Sequence, residues 1–292
     1  VPHLWHRAQE PGRFFTNLSL VSQPLPEAPS VQLKGKGVFL DPLSGSQALR
    51  WLLAAFAGFV AGQLFSTGLV TLMAAIKGQS SQLSSLAHST SPPEWYILSS
   101  LFGLWAGFLG AAWAVVHIGR APRHTLGIRF SSWDLLGIPI GIGAQILIGL
   151  MYLPFRSHLK HFDAPITKLT GSSHGSGYVI IIFCTLILAP IIEEIFFRGV
   201  LFRSLAGFSS LVKTLTGKRV ILILAVLLDG LLFGVVHGEL IQLPGLALFG
   251  ALLAVLFYRT GRLGLSIVTH IAFNSLAIIS YTSSSGTLFG WH

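Results

Sequence analysis

Seven apolar stretches, each near the length that a bilayer core demands, follow a polar first segment. They run over 49–76, 95–118, 134–154, 178–205, 219–237, 244–258 and 263–282, the fourth long and the sixth short. Residues 1–47 mix Pro, Gly, Ser and charge without helical periodicity, the pattern of a flexible tail. Within that tail the apolar segment Val38 to Leu43 is a candidate interfacial helix and an eighth element. The pattern predicts an all-α fold: a polytopic membrane helical bundle of about seven transmembrane helices. It divides into the tail (1–47), a first group of membrane helices and loops (48–177), a core (178–282) and a short C-terminal tail (283–292). Three pairs of small residues four apart, Gly58/Gly62, Gly103/Gly107 and Gly137/Gly141, would allow close helix contacts, although ordinary glycine content in spans explains them equally well.

Composition agrees with the pattern. The 292 residues are 52% hydrophobic and only 10% charged, where a soluble chain carries about 25% charged residues. The formal charge of +9 belongs to membrane loops, because Lys and Arg collect on the cytoplasmic side. Neither a Gly-rich phosphate loop nor an aromatic-basic pattern points to nucleic acid, so none is expected as a partner. The one cysteine, Cys184, lies within a span and excludes an intramolecular disulfide. The start lacks a cleavable signal pattern, so the first span is expected to act as its own insertion signal.

The loops predict orientation. Fourteen Lys/Arg fall in the first tail and alternate loops, including Arg120, Arg123 and Arg129, then Arg203, Lys213, Lys218 and Arg219, then Arg259 and Arg262. The opposite loops hold only Lys77, Arg156, Lys160 and Lys168. A multi-pass cell-membrane protein with a cytoplasmic N-terminus and an outside C-terminus follows.

Against that background, the fourth span carries three ionisable groups within six residues, Glu193, Glu194 and Arg198. Each costs roughly 2.5 to 3.5 kcal/mol in hydrocarbon on insertion scales, so such groups are functional by default. Glu194 and Arg198 stand i and i+4 with the acid first, the favourable order for an ion pair. Glu193 is turned about 100° away and remains free to take or give a proton. The fifth span ends in Phe233-x-x-x-His237, with Asp229 two turns before the histidine on the same face as a candidate partner. The seventh holds His270-x-x-x-Asn274, two groups one turn apart that can aim hydrogen-bond donors at one spot, as an oxyanion site requires. Singly, each has a structural explanation in helix packing; three such sets at similar depth point to one site. His158, His161, Asp163 and His174 form a further cluster in the preceding loop, where solvated loop residues explain them better than a metal.

Glu-Glu-x-x-x-Arg, Phe-x-x-x-His and His-x-x-x-Asn in this order resemble the CPBP intramembrane proteases, the family of the CAAX prenyl endopeptidase and of bacteriocin-processing and self-immunity proteins. The resemblance covers about 178–282, which would be the catalytic core. Thr125-Leu126-Gly127-Ile128-Arg129 with Trp133-Asp134, and Tyr258-Arg259-Thr260-Gly261, are also similar to bacterial members. The resemblance implies endopeptidase cleavage of a membrane-embedded or lipid-anchored peptide or protein. It would make Glu193 the base that activates water and His237 the residue that holds it. His270 and Asn274 would stabilise the oxyanion, with Glu194, Arg198, Phe233 and Asp229 in support. Glu193, His237 and His270 match a hydrolytic zinc set in residue type, but no HExxH occurs and the histidines lie on separate helices. The resemblance favours a metal-free mechanism, so no cofactor is expected, zinc being the alternative. At ~1.5 Å per residue the motifs meet mid-membrane, towards the outer half. Two other classes remain: a non-catalytic scaffold or immunity protein that binds a partner, and a proton-coupled transporter, for which no internal repeat is visible.

Overall fold

The computed structural model describes residues 43–89, 91–158 and 175–282, all within one unit, Gly37–His292. Val38 to Pro42 of the candidate interfacial segment lie outside the described residues. Seven helices are long and apolar enough to cross a membrane: α1 (Gly45–Ile76), α2 (Glu94–His117), α3 (Ser132–Phe155), α4 (Gly175–Leu211), α5 (Leu215–Val236), α6 (Leu243–Thr260) and α7 (Leu263–Thr282). No strand occurs among the described residues. The fold is the all-α membrane bundle that the apolar pattern predicts.

Local chemistry explains the ends. Ser44 caps α1 with a reciprocal capping box to Gln47, so the helix begins four residues before the apolar run does. Thr214 caps α5, accepting from the Gly217 N–H, and likewise extends it beyond the apolar stretch. Gly261, at φ 64°, ends α6 in the left-handed conformation that glycine adopts without strain.

Helices pack in pairs around α4. α1 packs chiefly on α2, α5 on α6 and α3 on α7, while α4 touches members of every pair. All three glycine pairs lie at helix contacts. A Cβ on Gly58 would meet the Gly107 carbonyl at 2.7 Å, and one on Gly137 would meet the Thr269 nitrogen at 2.7 Å. Without these glycines the backbones could not come so close. In lipid, such close packing replaces the hydrophobic drive that holds soluble helices together.

α4 is not a uniform α-helix. It winds as a π-helix over Cys184–Leu188 and again over Ile195–Phe202, with an α-helical turn, Ala189–Glu194, between them. π segments in helices concentrate at functional sites because they re-aim side chains. Here they flank Glu193 and Glu194.

A clasp joins the α2–α3 connection to the α6–α7 turn. The Leu263 N–H donates to the Gly127 carbonyl at 2.8 Å, and the Gly264 N–H to that of Arg129 at 3.2 Å. Asp134 accepts from the Ser131 N–H at 2.7 Å and from Arg262 at 3.0 Å. The segments 125–129 and 133–134 thus converge on the residues that directly follow 258–261.

Candidate active site

Arg198 organises the site. Its Nη1 donates to Glu194 Oε1 at 2.8 Å and its Nη2 to the Gly250 carbonyl of α6 at 2.9 Å. Its Nε lies 3.5 Å from Asp229 Oδ2 on α5, and its guanidinium carbon 4.7 Å from the centre of the Phe233 ring. Arg198, Glu194 and Asp229 are fully buried. A charge held this deep needs its partners, and the planar fork of Arg reaches several at once. One correction follows: Asp229 serves Arg198 rather than His237. Facing helices, rather than the two-turn spacing along α5, decide its partner.

Glu193 is treated differently. It has no arginine contact among the described residues, and its side chain keeps 15% exposure where Glu194 has none. The ring of His270 stands between the two acids. Its Nδ1 is 3.2 Å from Glu194 Oε1, and its Nε2 is 3.9 Å from Glu193 Oε2. Because a carboxylate only accepts, Nδ1 carries the hydrogen in the first contact. The second gap is too long for a direct hydrogen bond and of a kind that water bridges.

His237 follows the last residue of α5, and its Nδ1 lies 2.7 Å from the Phe233 carbonyl one turn back. A carbonyl accepts, so Nδ1 donates there and Nε2 remains for another ligand. His237 is exposed. Phe233 lies between the two imidazoles, with centroids 4.7 Å from His237 and 5.5 Å from His270. Phe249, stacked at 3.8 Å on Phe273, packs edge-on against His270 beside Phe233. Asn274, one turn beyond His270, donates from Nδ2 to the Thr185 carbonyl at 3.1 Å.

The structure therefore brings Glu193, Glu194, Arg198, Asp229, Phe233, His237, His270 and Asn274 from α4, α5 and α7 into one region. Among the described residues, no group of three His, Cys, Asp or Glu side chains is placed to hold a metal ion. His161, Asp163 and His174 lie outside the described residues, as does the side chain of His158.

Two contributors have no sequence motif. The Gly250 carbonyl binds Arg198 through backbone alone, which residue type does not announce. The Tyr152 hydroxyl donates to the Ile241 carbonyl at 2.8 Å and accepts from the Gly245 N–H at 3.0 Å. It thereby ties α3 to the end of the turn that follows His237 and to the first turn of α6. A buried tyrosine near a span end is the one available hint, since its hydroxyl must find partners.

Residues 175–276 match the family model described as "Type II CAAX prenyl endopeptidase Rce1-like". The chain is also 29% identical over 186 residues to the "Putative membrane peptidase YdiL" of Bacillus subtilis (strain 168), a match over 61% of this chain and 71% of that protein. No solved structure matches. The family match spans every motif residue from Glu193 to Asn274, so the three-helix site and the matched segment coincide, and the resemblance to the CPBP proteases holds over that segment.

Proposed function

We propose that this protein is an intramembrane endopeptidase that hydrolyses a peptide bond of a membrane-embedded or lipid-anchored peptide or protein. One observation carries the reading. Of the three acids in the site, Arg198 engages Glu194 and Asp229, leaving Glu193 partly exposed, with its Oε2 3.9 Å from His270 Nε2. The family match and the relative's peptidase name support the same class.

In this reading His237 accepts a hydrogen bond from water at Nε2, its Nδ1 hydrogen being committed to Phe233. Glu193 takes the water's proton as the oxygen attacks the scissile carbonyl, then delivers it to the leaving amine. His270, donating from Nε2 when doubly protonated, and the second N–H of Asn274 stabilise the oxyanion. Glu194 holds the His270 ring in place from Nδ1, and Arg198 balances Glu194. In this reading the water is activated by the carboxylate and the imidazole, without a metal. With the N-terminus cytoplasmic, as loop charge suggests, His237 lies towards the outer end of α5, and substrates enter from that half.

Purified protein in detergent, offered a panel of membrane-anchored peptides, tests the reading. Wild type is expected to cleave at least one, Glu193→Ala and His270→Ala none, and a strong chelator to change nothing. Cleavage that persists in Glu193→Ala overturns the role of Glu193. Inhibition by chelator that added zinc reverses overturns the metal-free step. No cleavage by wild type would favour a binding function.

A further inference from the structure

Proline in a helix interior removes one backbone donor. Pro190 does so inside α4, three residues before Glu193. Just ahead of it, over Cys184–Leu188, the chain is π-helical, and the Ala189 N–H donates to the Cys184 carbonyl five residues back. The next bond in that register would run from residue 190 to the Thr185 carbonyl, and proline has no hydrogen for it. Asn274 supplies one instead, its Nδ2 lying 3.1 Å from the Thr185 oxygen across 89 residues of sequence. Neighbouring helices commonly re-satisfy backbone groups that proline frees within a membrane.

We infer that Pro190 is a positioning residue: by withholding its N–H it opens the Thr185 carbonyl to Asn274 and so pins α7 against the segment bearing Glu193 and Glu194. The pin sits one helical turn from His270 on α7 and close before the two acids on α4. It therefore sets the contact of His270 with both carboxylates, 3.2 Å to Glu194 and 3.9 Å to Glu193. It also commits one N–H of Asn274 to the protein and holds the carboxamide so that the other keeps a fixed direction. Alanine at 190 would bring back the internal donor, which competes with Asn274 for the same oxygen.

A melting cycle on purified protein in one detergent tests this without any substrate. Asn274→Ala should lower the Tm by about 2–4 °C, the loss of roughly one buried hydrogen bond. In a Pro190→Ala background the same change should cost less than about 1 °C, because residue 190 then serves Thr185 itself. Equal costs in the two backgrounds would overturn the pin. If Pro190→Ala does not fold, Asn274→Leu decides, since a side chain of similar size with no polar hydrogen cannot donate to a carbonyl. It should melt as low as Asn274→Ala, and wild-type melting would overturn the proposal. A second arm rests on the protease reading: Pro190→Ala should cut kcat about 10-fold, with KM and Tm not impaired, because a misplaced catalytic group costs rate rather than binding. Unchanged kcat would overturn the positioning role. If wild type cleaves no peptide, that reading fails while the melting cycle still decides the pin.

Discussion

Asp229 lies against Arg198, its Oδ2 3.5 Å from the guanidinium Nε, with neither side chain exposed. Arg198 thereby links α4 to α5, and through the Gly250 carbonyl to α6. Removing the cation leaves two carboxylates buried without compensation, a loss of about 3–5 kcal/mol on the usual scale for broken buried pairs. Arg198→Ala is expected to give little folded protein on size exclusion in detergent. Arg198→Lys keeps the charge but not the fork and should melt several degrees below wild type.

The two adjacent glutamates should separate by phenotype. Glu193→Gln keeps the size and polarity of a partly exposed side chain. Its Tm should stay within about 1 °C of wild type while cleavage falls by about 10²–10⁴-fold, the usual contribution of a general base. Glu194→Gln weakens an ion pair with Arg198 and the contact to His270, so Tm and turnover should fall together. Melting and cleavage measured on the same preparations distinguish the two.

Tyr152→Phe removes the bridge between Ile241 and Gly245 without opening a cavity. The buried Gly245 N–H and the Ile241 carbonyl lose their partner, at a cost of about 1–3 kcal/mol. The turn 238–242 should exchange its amides faster by hydrogen-exchange mass spectrometry, and cleavage should fall as His237 loosens.

Gly107→Leu should drive α1 and α2 apart, because even a Cβ at this position runs into the backbone of Gly58 and Gly62. Overpacking costs typically 1–3 kcal/mol, and rigid backbone on the facing side leaves little room to relax. A cysteine pair engineered across the α1–α2 contact should cross-link in wild-type background and fail with Leu at 107. Gly110→Leu, where a Cβ meets nothing, should behave as wild type.

By itself the sequence determined what depends on one segment at a time. The spans were legible because a bilayer imposes length and apolarity on each helix separately, and the predicted ends differ most at α4, which runs six residues further, to Leu211, and where Ser44 and Thr214 add a capped turn. The Glu194–Arg198 pair was legible because helical spacing alone brings i and i+4 together. The motif order likewise pointed to a shared site. The tertiary structure decided everything that depends on how one helix is rotated against another. Asp229 shares a face with His237 along α5, yet its carboxylate reaches Arg198 on α4. Asn274 reaches a carbonyl that only the π winding before Pro190 presents to it. Tyr152 and the Gly250 carbonyl carry no pattern at all. Contacts within a helix follow from a fixed pitch, whereas contacts between helices follow from side-chain packing summed over both faces, which no local spacing records.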